Sequence, residues 1–81
     1  MDEAKQRVVD ELAELSERAS KLVKFTLSEK FSKLSKNMQY LMQDQVRTML
    51  EYGNILRRRL DCWGMTDEEL ENNLKNCNYI R

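Results

Sequence analysis

Residues 8–22, VVDELAELSERASKL, set apolar side chains at Val8, Leu12, Leu15, Ala19 and Leu22, in alternating steps of four and three. That spacing marks one face of an α-helix whose seam repeats every seven residues. The same steps return at Met42, Val46, Met49, Gly53, Leu56, Leu60 and Trp63. Two seams of one period, on stretches of similar length, predict an antiparallel helical hairpin. Setting Leu22 near Val46 brings Ala19 opposite Met49 and Leu15 opposite Gly53, so that large side chains face small ones. A mid-helix glycine costs about 1 kcal/mol in helix propensity, and room for a leucine or a close helix approach at Gly53 accounts for it. A hinge at Gly53 is the alternative.

Asp2 can cap a helix over residues 3–26. Thr26 and Ser28 then interrupt the pattern, and residues 27–35 form the connector, with one short turn of helix within Ser28 to Leu34. Ser35 is the N-cap of a second long helix over residues 36–63. At about 1.5 Å per residue the two long helices span roughly 35 to 42 Å each. Gly64 stands where a C-cap glycine belongs. Thr66-Asp-Glu-Glu69 is a capping box, with Met65 and Leu70 as its hydrophobic staple, and starts a short helix over residues 67–76. Its apolar stripe is Leu70, Leu74 and Cys77.

Composition agrees. The chain has 81 residues, no proline and two glycines, so helix breakers are scarce. A single core is small at this length, and help from outside the monomer is expected. Lys plus Arg and Asp plus Glu both total 14; with no net charge, no global field draws the chain to nucleic acid or to a membrane surface. The N-terminal stretch lacks the apolar run of a signal peptide or a membrane span, which places the protein in the cytoplasm, with Cys62 and Cys77 reduced. Two cysteines without a histidine do not make a four-ligand zinc site in one chain, and no metal or cofactor is expected. Cys62, next to Trp63, reads as a helix-end packing residue.

The second helix has more apolar surface than one partner covers. Met38, Leu41, Gln45, Thr48, Tyr52, Ile55 and Arg59 form a second seam beside the first, and Phe25, Leu27, Phe31 and Leu34 add apolar side chains in and near the connector. Such a surplus predicts self-association. The alternative is a monomer whose third helix and connector fold over this face. The fold expected is therefore all-α: a two-helix hairpin with a short C-terminal third helix, one domain over residues 1–81, assembling into a homo-oligomeric helical bundle.

The second seam is interrupted by Gln45, Thr48, Tyr52 and Arg59. Polar seam residues can fix register and oligomer state. They can also line a pocket between subunits, where aromatic faces and an arginine fork hold a planar anion. Both readings stay open. From residue 18 to residue 47 the bases Arg18, Lys21, Lys24, Lys30, Lys33, Lys36 and Arg47 meet only Glu29 and Asp44, so the connector end is basic. For catalysis there is no histidine, no glycine-rich phosphate loop and no nucleophile beside a base, so an enzyme is not expected.

The stretch Ser28-Glu-Lys-Phe-Ser-Lys-Leu-Ser, followed by Leu41-Met-Gln-Asp-Gln, Met49-Leu-Glu-Tyr-Gly-Asn-Ile-Leu and Arg59-Leu, resembles a family of very small phage-encoded helical-hairpin proteins, relatives of an uncharacterised protein of crAss-like phages. The resemblance covers residues 5–64; Gly53 and the tail from Met65 depart from the pattern. It implies a phage accessory protein working in the infected bacterial cell. In size and architecture the chain is also similar to phage sponge proteins that oppose CBASS and Thoeris defence by sequestering cyclic nucleotides or cyclic ADP-ribose relatives. That likeness implies a homo-oligomer holding a nucleotide-derived anion between subunits. The ligand residues expected are Gln45, Thr48, Tyr52 and Arg59 in the seam, with Lys24, Lys30, Lys33 and Tyr40 nearby. The contrasting expectation is a helical adaptor or inhibitor that docks its surplus apolar face on a host or phage protein.

Overall fold

The computed structural model describes residues 3–75. Among them the regular elements are all helical: α1 (Glu3–Thr26), α2 (Glu29–Ser32), α3 (Lys36–Cys62) and α4 (Asp67–Lys75). The expected roles of Asp2 as a cap and of Cys77 in the third helix fall outside the described residues. The molecule measures 45 × 23 × 18 Å, a rod set by the length of the hairpin.

Local chemistry explains each boundary. At the end of α1 the Thr26 hydroxyl donates to the Val23 carbonyl at 2.6 Å, and the N–H of Leu27 reaches back only three residues, to Lys24. The helix tightens there and stops. Ser28 then accepts the N–H of Phe31 and caps α2. Ser35 accepts the N–H of Met38 at 3.1 Å and caps α3. The Gln39 side-chain amide donates to the carbonyls of Ser32 and Leu34, at 3.2 and 2.9 Å, and ties α2 to the first turn of α3.

The end of α3 falls at Cys62, one residue before the expected Trp63, because Trp63 is itself the C-cap. Gly64 takes φ 79°, the left-handed conformation that a side chain resists. The N–H of Met65 bonds the Leu60 carbonyl at 3.1 Å and the N–H of Gly64 bonds the Asp61 carbonyl at 2.8 Å, the paired bonds of a Schellman motif. Thr66 follows at once. It accepts the N–H of Glu69 at 3.1 Å and donates its hydroxyl to the Glu69 carboxylate at 3.3 Å. Met65 serves both motifs: it meets Leu60 to close α3, and Leu70 to open α4, and all three are buried.

These two turns fold α4 back against α1, which also packs on α3 and α2. The core that results lies at the free end of the hairpin: Val8, Val9, Leu12, Ala13, Leu56, Leu60, Met65, Leu70 and Leu74, with Leu15 packed beside them. Toward the connector the first seam is only half-buried at Leu22, Met42, Val46 and Met49. Phe31, counted among the surplus apolar residues, is instead buried edge-on against Phe25, with ring centroids 6.2 Å apart. Cys62, expected to pack at the helix end, is exposed, because the Schellman turn directs Leu60 and Met65 inward and leaves Cys62 outside.

Gly53 lies beside Leu12 and Leu15, as the large-on-small register requires, but a Cβ built there would sit 3.7 and 3.8 Å from their side chains. That is ordinary contact, so the approach does not demand glycine. Gly53→Ala is therefore expected to stabilise the protein by about 0.5–1 kcal/mol through helix propensity. Gly64→Ala meets no atom within 4 Å, yet its left-handed φ should make it destabilising by about 1 kcal/mol. Opposite shifts of the urea midpoint at unchanged slope would check both.

Candidate functional site

At the free end, where the N-terminal turns of α1 pass the last turns of α3, an open cleft of about 360 Å³ is lined by Ala4, Arg7, Val8, Glu11, Arg59 and Trp63. Tyr52 is outside this lining but touches it through Glu11: its hydroxyl donates to both carboxylate oxygens of Glu11 at 2.7 Å. This bond crosses from α3 to α1 at the surface. The Glu11 carboxylate, accepting the bond and adding its charge, raises the Tyr52 pKa above the ordinary phenol value, while the nearby Arg59 guanidinium opposes the shift. Arg7 forms a surface ion pair with Glu3 at 2.9 Å, a contact that exchanges with solvent at little cost.

Arg59 enters no ion pair within 4 Å among the described residues. Its fork is exposed beside the indole of Trp63 along the cleft. Trp63, expected at the end of the closing seam, stands partly exposed because the chain turns away immediately after it. The cleft lining thus offers two guanidinium forks, one carboxylate and one indole ring, with the Tyr52 phenol bonded to that carboxylate. Such a set can stack on a planar base, accept its N–H groups and bind an anion bidentately. Arg7, Glu11 and Trp63 were not singled out from the sequence as ligand residues. The register that sets Leu15 against Gly53, continued one turn, puts Glu11 level with the turn between Tyr52 and Arg59, and that was the available signal.

The other expected site residues lie elsewhere. Tyr40, Gln45 and Thr48 are exposed on α3, and the Thr48 hydroxyl is turned inward on its own helix, donating to the Asp44 carbonyl at 3.0 Å. Lys24, Lys30 and Lys33 are exposed at the connector end, and Lys33 pairs with Glu29. Pairs of Arg18 with Glu14, Lys21 with Glu17 and Arg47 with Asp44 also neutralise part of the basic stretch. At about 1.5 Å per residue, Tyr40 and Arg59 are roughly 28 Å apart along α3. A single chain brings Tyr52 and Arg59 together and leaves the connector residues at the far end. The entire second seam, Met38 to Arg59, is exposed, and α4 lies on α1 instead of covering it.

Among the described residues no group of three or more metal-ligating side chains comes together, and no helix is long and apolar enough to cross a membrane. A family model described as Sequestin matches residues 2–62, three quarters of the sequence. The chain belongs to the Sequestin family. No curated protein and no solved structure matches it. The Sequestin match ends on the last residue of α3, so it includes the hairpin, the second seam and all but one of the cleft residues, and leaves Trp63 and α4 outside.

Proposed function

We propose that this protein sequesters a small, nucleotide-derived anion without altering it, and that a phage uses it to withdraw a bacterial defence signal of the cyclic oligonucleotide or cyclic ADP-ribose type. The observation that carries the reading is the meeting of Arg59, Arg7, Glu11 and Trp63 at one cleft, with Tyr52 bonded to Glu11, in a chain of the Sequestin family. The family name speaks of sequestration, and the cleft supplies what holding a planar anion requires: an indole face, donors in fork geometry and one acceptor. It supplies no nucleophile paired with a base, so retention is the chemistry assigned to it and not turnover. A cleft of about 360 Å³ lies near the small end of the range that ligand pockets occupy, roughly 300–1,000 Å³. A second copy of the chain, packed on the exposed seam, completes the enclosure. The working protein is a homo-oligomer in the cytoplasm of the infected cell.

Calorimetry and thermal unfolding against a panel of cyclic dinucleotides, cyclic trinucleotides and cyclic ADP-ribose isomers test this directly. A ligand present at one hundred times its Kd should add about 2.7 kcal/mol of stability, a rise in Tm of roughly 10 to 20 °C for a domain this small. After heat release the ligand should return chemically intact. Silence across the whole panel sinks the proposal, and recovery of a hydrolysed product would replace sequestration with catalysis. Specific retention of a host or phage protein, with no ligand response, would favour the adaptor reading.

A further inference from the structure

We propose that α3 pairs with α3 of a second copy, antiparallel, about a two-fold axis passing between Val46 and Arg47. All seven residues of the second seam are exposed, and only Tyr52, through its bond to Glu11, and Arg59, at the cleft, also reach α1. Their order is self-complementary about that axis. Met38 comes level with the partner's Ile55, Leu41 with the partner's Tyr52, and Gln45 with the partner's Thr48. Apolar and aromatic residues therefore meet one another, and the two short polar side chains meet at the centre, where they can share hydrogen bonds.

Neighbouring registers lose this match. A shift of one heptad in one direction sets Gln45 on Ile55 and Leu41 on Arg59; the opposite shift sets Leu41 on Gln45 and Met38 on Thr48. Each leaves a polar group facing an apolar one, which is unfavourable once water is excluded. A parallel, in-register pair stacks Arg59 on Arg59 and Gln45 on Gln45. Asp44, which borders the seam near the partner's Glu51, is already neutralised by Arg47. The occupant of this face is a second copy and not an unrelated helix because six of the seven seam residues, Met38 to Ile55, find their own complement and only Arg59 is left beyond the paired stretch.

The pairing joins what the single chain separates. Arg59 then lies past the N-terminal end of the partner's α3, toward the connector that carries Lys33 and Lys36. The cleft of one chain and the basic connector of the other then share each end of the pair, so each anion site is built from both copies. This inference rests on the reading of the protein as a self-assembling sequestering protein, and the experiment separates the two.

In a Cys62→Ser, Cys77→Ser background, chains carrying Met38→Cys are mixed with chains carrying Ile55→Cys and oxidised; a second mixture uses Leu41→Cys with Tyr52→Cys. Circular dichroism confirms that each variant is helical. The expected result is that mixed disulfide dimers predominate in both mixtures, at least tenfold over like-with-like dimers. Predominance of like-with-like dimers would show a parallel pair and overturn the inference. So would the mass of a monomer in light scattering of the unmodified protein. Mixed dimers together with a silent cyclic-nucleotide panel would leave the pairing standing and remove the sequestering role.

Discussion

Leu56→Ala is expected to leave most of the protein unfolded near room temperature or within reach of mild urea. Leu56 is 0 % exposed, and it lies in one cluster with Leu12, Leu60 and Val9, the largest fully buried side chains among the described residues. Truncating a buried leucine costs about 2–5 kcal/mol, the transfer term plus the cavity left behind. A domain of this size rarely has more than about 3–5 kcal/mol to lose. The site has little means to collapse into the void, because α4 reaches the cluster through the short Gly64–Thr66 turn and its staple residues Met65 and Leu70 are already committed there. Leu27→Ala is the matched control. With 82 % of Leu27 exposed, its truncation should move stability by less than about 0.5 kcal/mol. Urea unfolding followed by circular dichroism, at one fixed protein concentration because self-association would add to stability, reads both. Comparable midpoints for the two variants would place the core elsewhere than at the free end.

The location of that core shows where sequence reasoning reaches and where it stops. Local signals carried the helical reading, because each is complete within a few residues: Ser35 three before Met38, Gly64 after Trp63, Thr66 three before Glu69. The hairpin register was also legible, since one pairing, Leu15 with Gly53, fixes every other level along two helices of equal period. Val9 and Ala13 were not. They sit beside the seam defined by Val8 and Leu12, and nothing in their spacing says that this second stripe will be buried. Their burial depends on α4 returning to α1, a contact between residues some sixty apart in the chain, and its only local trace is the double use of Met65. The cleft was half legible for the same reason. Tyr52 and Arg59 stood out as polar breaks in an apolar seam, whereas Glu11, Arg7 and Trp63 look like ordinary surface or seam residues until the two helices are laid side by side.

Arg59→Ala is expected to weaken ligand binding by about tenfold to a hundredfold or more while leaving the fold intact. The second half of that expectation follows from exposure: Arg59 is on the surface and forms no ion pair within 4 Å among the described residues, so its removal leaves no buried group unsatisfied. The first half follows from the strength of charge-assisted hydrogen bonds, about 1.5–3 kcal/mol each in net terms, at roughly tenfold in Kd per 1.4 kcal/mol. Arg59→Lys should recover part of the loss, because a point charge remains but the bidentate fork does not. Arg58→Ala is the decisive comparison. It removes the same charge one residue away, on a different side of α3, and any effect that is only long-range attraction would appear equally in both variants and fade with salt. Calorimetry with the tightest binder of the cyclic-nucleotide panel, at two ionic strengths, separates the cases. If Arg58→Ala and Arg59→Ala weaken binding alike, the free-end cleft is not where the anion sits. The connector lysines Lys24, Lys30 and Lys33, whose charges would then be doing the holding, become the groups to replace.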